Sequence, residues 1–174
     1  ISKNFMGDAF SNEMKQDVIK YIKEEFGGKI DLLIYSLASA VRTDPKDGVT
    51  YRSALKSTEK EIVGPSINLE KEEIEETIMG VATPEEIHST VKVMGGEDWK
   101  LWVEALDEAG VIDNGFKTVA YSYLGPKVTY GIYKDGTIGA AKRDLEHTSD
   151  TLNDFLKKKY DGEAFVSLSK ALMT

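Results

Sequence analysis

Cysteine is absent from these 174 residues. That excludes disulfides, thiolate nucleophiles and cysteine metal sites. Histidine is nearly absent: His88 and His147 lie far apart, with no spacing for a histidine metal site or a Ser-His-Asp triad. No run of 18 apolar residues and no signal-peptide pattern occurs, so the chain reads as cytoplasmic. Positive charge is in deficit, and the net charge of −8 argues against nucleic acid and anionic membrane as partners. A glycine-rich phosphate-binding turn is missing too: no GxGxxG-like or GxxxGxG-like run follows a candidate strand. By the order of elements, such a turn belongs ahead of Ile1. An opening Ile-Ser-Lys without initiator Met, and a close in what reads as a strand running on, predict the central part of something longer.

What remains is ordinary for one globular domain, with 41% hydrophobic and 30% charged residues. The negative charge is concentrated. Glu59 to Glu86 holds nine acidic residues and two lysines, a net of −7, so the rest of the chain stands near neutral. This segment reads as a solvated surface insertion, spanning about 42–82, rather than a cation site.

The apolar spacing predicts a βαβ array. Ser11 is a candidate N-cap for a helix with Met14, Val18, Ile22 and Phe26 on one stripe, ended by Gly27-Gly28. Ile30 to Ser36 reads as a buried parallel strand. It stops in small residues, Tyr35-Ser-Leu-Ala-Ser39, of the kind that let a flat ring or ribose approach the backbone beyond a strand's carboxyl end. Asp8 is placed near the neighbouring strand's end, where its carboxylate could accept a cofactor proton or simply cap a helix. Tyr51–Leu55 reads as one arm of a hairpin and Ile62–Leu69 as a short strand; an insertion after a core strand often lids a site. Helices follow from Thr83-Pro84 to Gly95-Gly96 and through Trp99, Trp102, Val103 and Leu106, the tryptophans being assigned to the core. A strand over Phe116–Leu124, a long helix ending in Lys157-Lys158-Lys159 and a last strand over Ala164–Ser169 complete the pattern.

Tyr133 and Lys142 carry the chemistry. A lysine charge beside a tyrosine favours the phenolate and can hold a ribose, while the phenol stabilises or protonates a developing oxyanion. The two lie nine apart. On one straight helix, nine steps of about 100° would set them on opposite faces, roughly 13 Å apart along the axis. Asp135-Gly136 is a strong turn dipeptide between them. Tyr133 is therefore expected on a short turn, with a new helix starting near Thr137 and carrying Lys142. On spacing alone, a surface tyrosine ahead of an unrelated lysine remains an alternative.

Gly7-Asp-Ala-Phe10, Tyr35-Ser-Leu-Ala-Ser39, Val93-Met-Gly-Gly-Glu-Asp-Trp99, Ala120-Tyr-Ser-Tyr-Leu-Gly125 and Tyr133-x8-Lys142 occur together. With these motifs the chain resembles the trans-2-enoyl-CoA reductases of the FabV type, a family that includes enoyl-acyl-carrier-protein reductases. The resemblance implies an α/β, Rossmann-like (short-chain-reductase-like) parallel sheet with flanking helices, incomplete at both ends. It implies NADH-dependent reduction of the carbon–carbon double bond of a 2-enoyl thioester, carried by CoA or by acyl-carrier protein, in fatty acid metabolism. Tyr133 then matches the catalytic proton donor and Lys142 the ribose-binding lysine. Tyr123 matches a substrate contact, Asp8 and Ala9 the adenine side, Leu37 and Ala38 the strand-end cofactor contact. Ala171, Leu172 and Met173 match a cofactor contact after the final strand. No metal is implied. Ala40 and Ser169 depart from the family's usual proline and asparagine. An acidic carrier protein would be repelled by the Glu59–Glu86 face, which favours CoA. A full-length member is expected to be monomeric, while this chain, with an unpaired sheet edge, is expected to self-associate. The alternative is a catalytically silent Rossmann-like fragment that binds a nucleotide or a partner chain.

Overall fold

A computed structural model describes residues 2–170. Ser11 starts helix α1 (Asn12–Glu25), its side chain accepting from the Met14 N–H at 3.1 Å. Gly27 and Gly28, at φ of +90° and +81°, stop it, the Gly28 N–H closing on the Ile22 carbonyl at 2.8 Å. Strand β1 (Ile30–Tyr35) follows. Two hairpins come next, β2 (Val41–Thr43) with β3 (Thr50–Arg52) and β4 (Ile62–Asn68) with β5 (Glu73–Met79). Helix α2 (Pro84–Met94) opens on a reciprocal capping box between Thr83 and Glu86, with proline at its start. Helix α3 (Glu97–Glu108), strand β6 (Ile112–Leu124), the four-residue helix α4 (Tyr130–Tyr133), helix α5 (Thr137–Tyr160) and strand β7 (Glu163–Lys170) complete the chain.

The central sheet is parallel, in the order β1-β6-β7. Helices α3 and α5 pack on one face of it, where Trp99, Val103, Leu106, Phe116, Leu145 and Leu156 form the core. Trp99 is fully buried and Trp102 nearly so, in keeping with their assignment to the core. The apolar run of β1 predicts burial on both faces, but among the described residues only one is covered. Ile34, Val119 and Phe165 stand in register across the three strands on the other face, and Ile34 and Phe165 remain 51% and 46% exposed.

Two further differences from the sequence pattern have physical causes. The buried stripe of α1 is Lys15, Ile19 and Ile22, rotated from the expected one, with Phe26 exposed. A lysine takes a core position because Lys15 Nζ donates to Asp98 Oδ1 at 2.9 Å and to the Phe10 carbonyl at 2.8 Å. Tyr35 Oη donates to the other oxygen of Asp98 at 3.2 Å. Burial raises the Asp98 carboxyl above the ordinary range, Lys15 opposing it. Strand β5 was not expected at all. It pairs with β4 along its whole length although nearly all of its side chains are exposed, so backbone hydrogen bonding rather than burial forms it. None of the described helices is long and apolar enough to cross a membrane, and among the described residues no cluster of three potential metal ligands occurs.

Candidate active site

The carboxyl ends of β1 and β6 frame a cavity. Beyond Tyr35 the chain turns through Ser36 to Ser39, where the Ser39 hydroxyl donates to the Val41 carbonyl at 2.6 Å. Beyond Tyr123, Gly125-Pro126 breaks the strand. Between these ends lies a cavity of about 370 Å³, lined by Leu37, Ala38, Met94, Ser122, Tyr123 and Lys142 among others. A second cavity of about 270 Å³ shares Ser36 and Leu37 with the first and reaches Ala9 and Trp102. The two adjoin at Ser36 and Leu37 and together make up a trough: the first lies at the strand ends, where ligands of open α/β sheets bind, and the second runs back along β1 past Tyr35, Ile34 and Leu33.

Tyr133 and Lys142 lie on separate helices, as the Asp135-Gly136 turn predicts. Helix α4 ends at Tyr133 and α5 begins at Thr137, with Gly136 extended between them. A side chain at Gly136 would lie 2.5 Å from the Ile132 carbonyl oxygen, and one at Gly139 would overlap the Lys134 carbonyl, so the fold needs glycine at both. This sharp reversal lets Lys142 point back at the tyrosines. Its Nζ donates to the Tyr123 carbonyl at 2.6 Å and sits 3.7 Å from the Tyr123 ring centre and 5.9 Å from that of Tyr133. The two rings meet edge to face at 5.6 Å. An ammonium has three donors and the Tyr123 carbonyl takes one, so two remain for a ligand in the trough. Burial lowers the Lys142 pKa, while Glu146 opposes the shift. Burial raises that of Tyr123, reinforced by Tyr133, so Tyr123 keeps its proton at neutral pH.

The structure thus brings Tyr123, Lys142, Leu37 and Ala38 together around the first cavity, with Tyr133 packed near Tyr123 and Lys142 but not itself among the lining residues. Ala9 lines the adjoining cavity. Asp8 is exposed, and its Oδ1 accepts the Phe10 N–H at 2.9 Å, a turn-capping role that leaves its second oxygen free. Ala171, Leu172 and Met173 lie outside the described residues. The sequence pattern did not single out Met94 or Ser122 as lining residues. Their signal was indirect: Met94 ends a helix before Gly95-Gly96, and Ser122 sits between the two tyrosines of β6.

Over residues 1–174 the chain matches the family model of the trans-2-enoyl-CoA reductase catalytic region. The chain belongs to this reductase family. It is 54% identical over its whole length to an NADH enoyl-[acyl-carrier-protein] reductase of Photobacterium profundum and 53% identical to an NADH trans-2-enoyl-CoA reductase of Clostridium beijerinckii. It spans 43% and 44% of those two proteins. Among solved structures, the trans-2-enoyl-CoA reductase of Clostridium acetobutylicum in complex with NADH superposes with a TM-score of 0.94 at 50% identity, over 99% of this chain and 43% of that one. The more distant FabI of Alistipes finegoldii, at 18% identity and a TM-score of 0.56, shares the fold. The Rossmann-like architecture expected of the reductase family is therefore present, in a chain shorter than half of its relatives.

Proposed function

We propose that this chain carries the reacting centre of an NADH-dependent reductase of 2-enoyl thioesters. The observation that supports this most directly is the convergence of Tyr133 on Tyr123 and Lys142, two residues that line a trough of small and apolar residues. The trough suits a dinucleotide: its two parts adjoin at Ser36 and Leu37, it has small walls at Ser36, Ala38 and Ser39, and the first part is lined by a cation with spare donors, Lys142. Lys142 would hold a ribose hydroxyl, Leu37 and Ala38 would pack against the ring, and Asp8 and Ala9 would meet the adenine side, with Ala171, Leu172 and Met173 completing the cofactor contacts. NADH, when bound, supplies a hydride to the β carbon of the substrate. The phenol of Tyr133 donates a hydrogen bond to the thioester oxygen, where negative charge gathers, and the α carbon then takes a proton. Lys142 places positive charge beside that phenol and favours release of its proton. Tyr123, held protonated, contacts the substrate.

In this reading the 174 residues act as one domain with a hairpin insertion, in a cytoplasmic enzyme. Relatives are named for both CoA and acyl-carrier-protein thioesters. The exposed glutamates of β5 and its turn, Glu70, Glu72, Glu73, Glu75 and Glu76, favour CoA over an acidic carrier protein. The test is NADH oxidation with crotonyl-CoA, in the longest natural polypeptide that contains this sequence. Tyr133→Phe is expected to reduce turnover about 10²-fold or more with NADH affinity little changed. Near-normal turnover in that variant would remove the proton-donor role.

A further inference from the structure

Tyr133 and Lys142 belong to different helices, so something must fix one helix against the other. The turn between them offers little: the N-cap position of α5, Gly136, has no side chain to cap with. The missing bonds come from a distant segment, Ala54 to Thr58, between the two hairpins. Thr137, fully buried, donates its N–H to the Lys56 carbonyl at 3.0 Å. Its hydroxyl donates to the Ala54 carbonyl and accepts from the Lys56 N–H at 3.3 Å. Ser57 bridges Gly136, and the Thr58 hydroxyl donates to the Asp135 carbonyl. Every residue from Asp135 to Thr137 is thus gripped from outside its own helices.

The gripping segment is itself fixed. The Thr90 hydroxyl of α2 accepts the Ala54 N–H at 2.9 Å, Lys56 Nζ meets Glu86 at 2.6 Å, and the Ala82 N–H donates to the Ser57 carbonyl at 2.8 Å. The bracket therefore ties the α4–α5 turn to the start and middle of α2. Helix α2 also supplies Val93 and Met94 to the cavity wall. From this geometry we infer that Thr137 is a positioning residue for the reaction: its buried hydroxyl, clamped by Ala54 and Lys56, sets the approach of Tyr133 to Lys142. It lines neither cavity and acts through Tyr133 and Lys142, which lie before and after it in the chain. The inference rests on the reading of Tyr133 and Lys142 given above.

The test compares Thr137→Val, which keeps the shape and loses the hydroxyl, with Thr137→Ser, which keeps the hydroxyl. Both are made in the longest natural polypeptide containing this sequence, and turnover is expressed per NADH-binding site, counted by fluorescence titration. Thr137→Val is expected to lower kcat about tenfold or more while the KM values for NADH and crotonyl-CoA stay within about twofold. Thr137→Ser is expected to stay within about threefold of the parent in kcat. Parental kcat in Thr137→Val, or equal losses in both variants, would overturn the inference. If Thr137→Val does not fold, Thr58→Val carries the question at a half-buried position with one bond at stake. A lowered kcat at unchanged melting temperature supports the bracket, and an unchanged kcat overturns it. Tyr133→Phe run alongside separates the two claims: if that variant turns over normally, it is the catalytic reading that fails.

Discussion

Replacing Asp98 by alanine would strand a cation in the core. Lys15 is 2% exposed, and its ammonium has two acceptors, one Asp98 oxygen and the Phe10 carbonyl. Loss of the carboxylate leaves a buried charge with one neutral partner, and the Tyr35 hydroxyl loses its acceptor as well. Breaking a buried pair from one side costs about 3–5 kcal/mol. At about 2–4 °C per kcal/mol for a chain of this size, the melting temperature should fall by roughly 6–20 °C. Urea unfolding followed by tryptophan fluorescence suits the site, since Trp99 stacks on Tyr35 and Lys15 lies 5.1 Å from the Trp102 ring centre. The decisive comparison is Asp98→Ala against the double variant Lys15→Met/Asp98→Ala. Removing the orphaned charge should make the double variant more stable than the single one. If the second change only adds its own cost, the pair is not coupled and the reasoning fails.

Two other outcomes follow from the same geometry. Burial lowers the Lys142 pKa and Glu146 opposes the shift, so Lys142 should lose its charge below the ordinary lysine value of 10.5. The alkaline limb of kcat/KM should then fall below that value and move lower still in Glu146→Gln; an unmoved limb would dissociate it from Lys142. A methyl group on Gly162 would lie 2.3 Å from the Phe116 carbonyl oxygen at the start of the central strand. Gly162→Ala should therefore cost about 1–3 kcal/mol in denaturant unfolding, and a change under about 0.5 kcal/mol would show that the strand yields freely.

Local chemistry made much of this fold legible before any coordinates. The Ser11 cap, the Thr83-Pro84 start and the Asp135-Gly136 reversal each act within a few residues, and each occurs where the sequence places it. The Asp135-Gly136 turn foretold that Tyr133 and Lys142 lie on separate helices, but spacing alone left an unrelated pair open, and it took the family motifs to set the two together. Long-range compensation was not legible. Lys15 reads as a polar face of α1 until Asp98, 83 positions away, is set against it. Thr137 reads as an ordinary first residue of a helix until Lys56, 81 positions away, supplies its partners. Strand β5, rich in glutamate, carries no burial signal, because its partner strand satisfies its backbone while its side chains stay in water. The bulge of β6 is an intermediate case. Asp113-Asn-Gly115 looks like a strand's outer limit, yet the ladder continues to Ile112 through Gly115 at φ +78°.

The half-covered sheet bears on how tightly the trough is held. Among the described residues, Ile34 and Phe165 flank Val119 on the bare face, and β1 and β6 end at Tyr35 and Leu124, beside the trough. Parallel sheets are ordinarily covered by a layer on each face. With one layer, the strand ends are expected to bend more easily about the core helices, which would change the separation of Leu37 from Lys142 across the first cavity. Whatever layer comes to lie on the bare face therefore acts as a brace for the trough on the opposite edge of the strands. A substitution at Phe165, which lines neither cavity, would be felt first as a change in the width of the cofactor's bed, whereas Ile34 lines the second cavity directly.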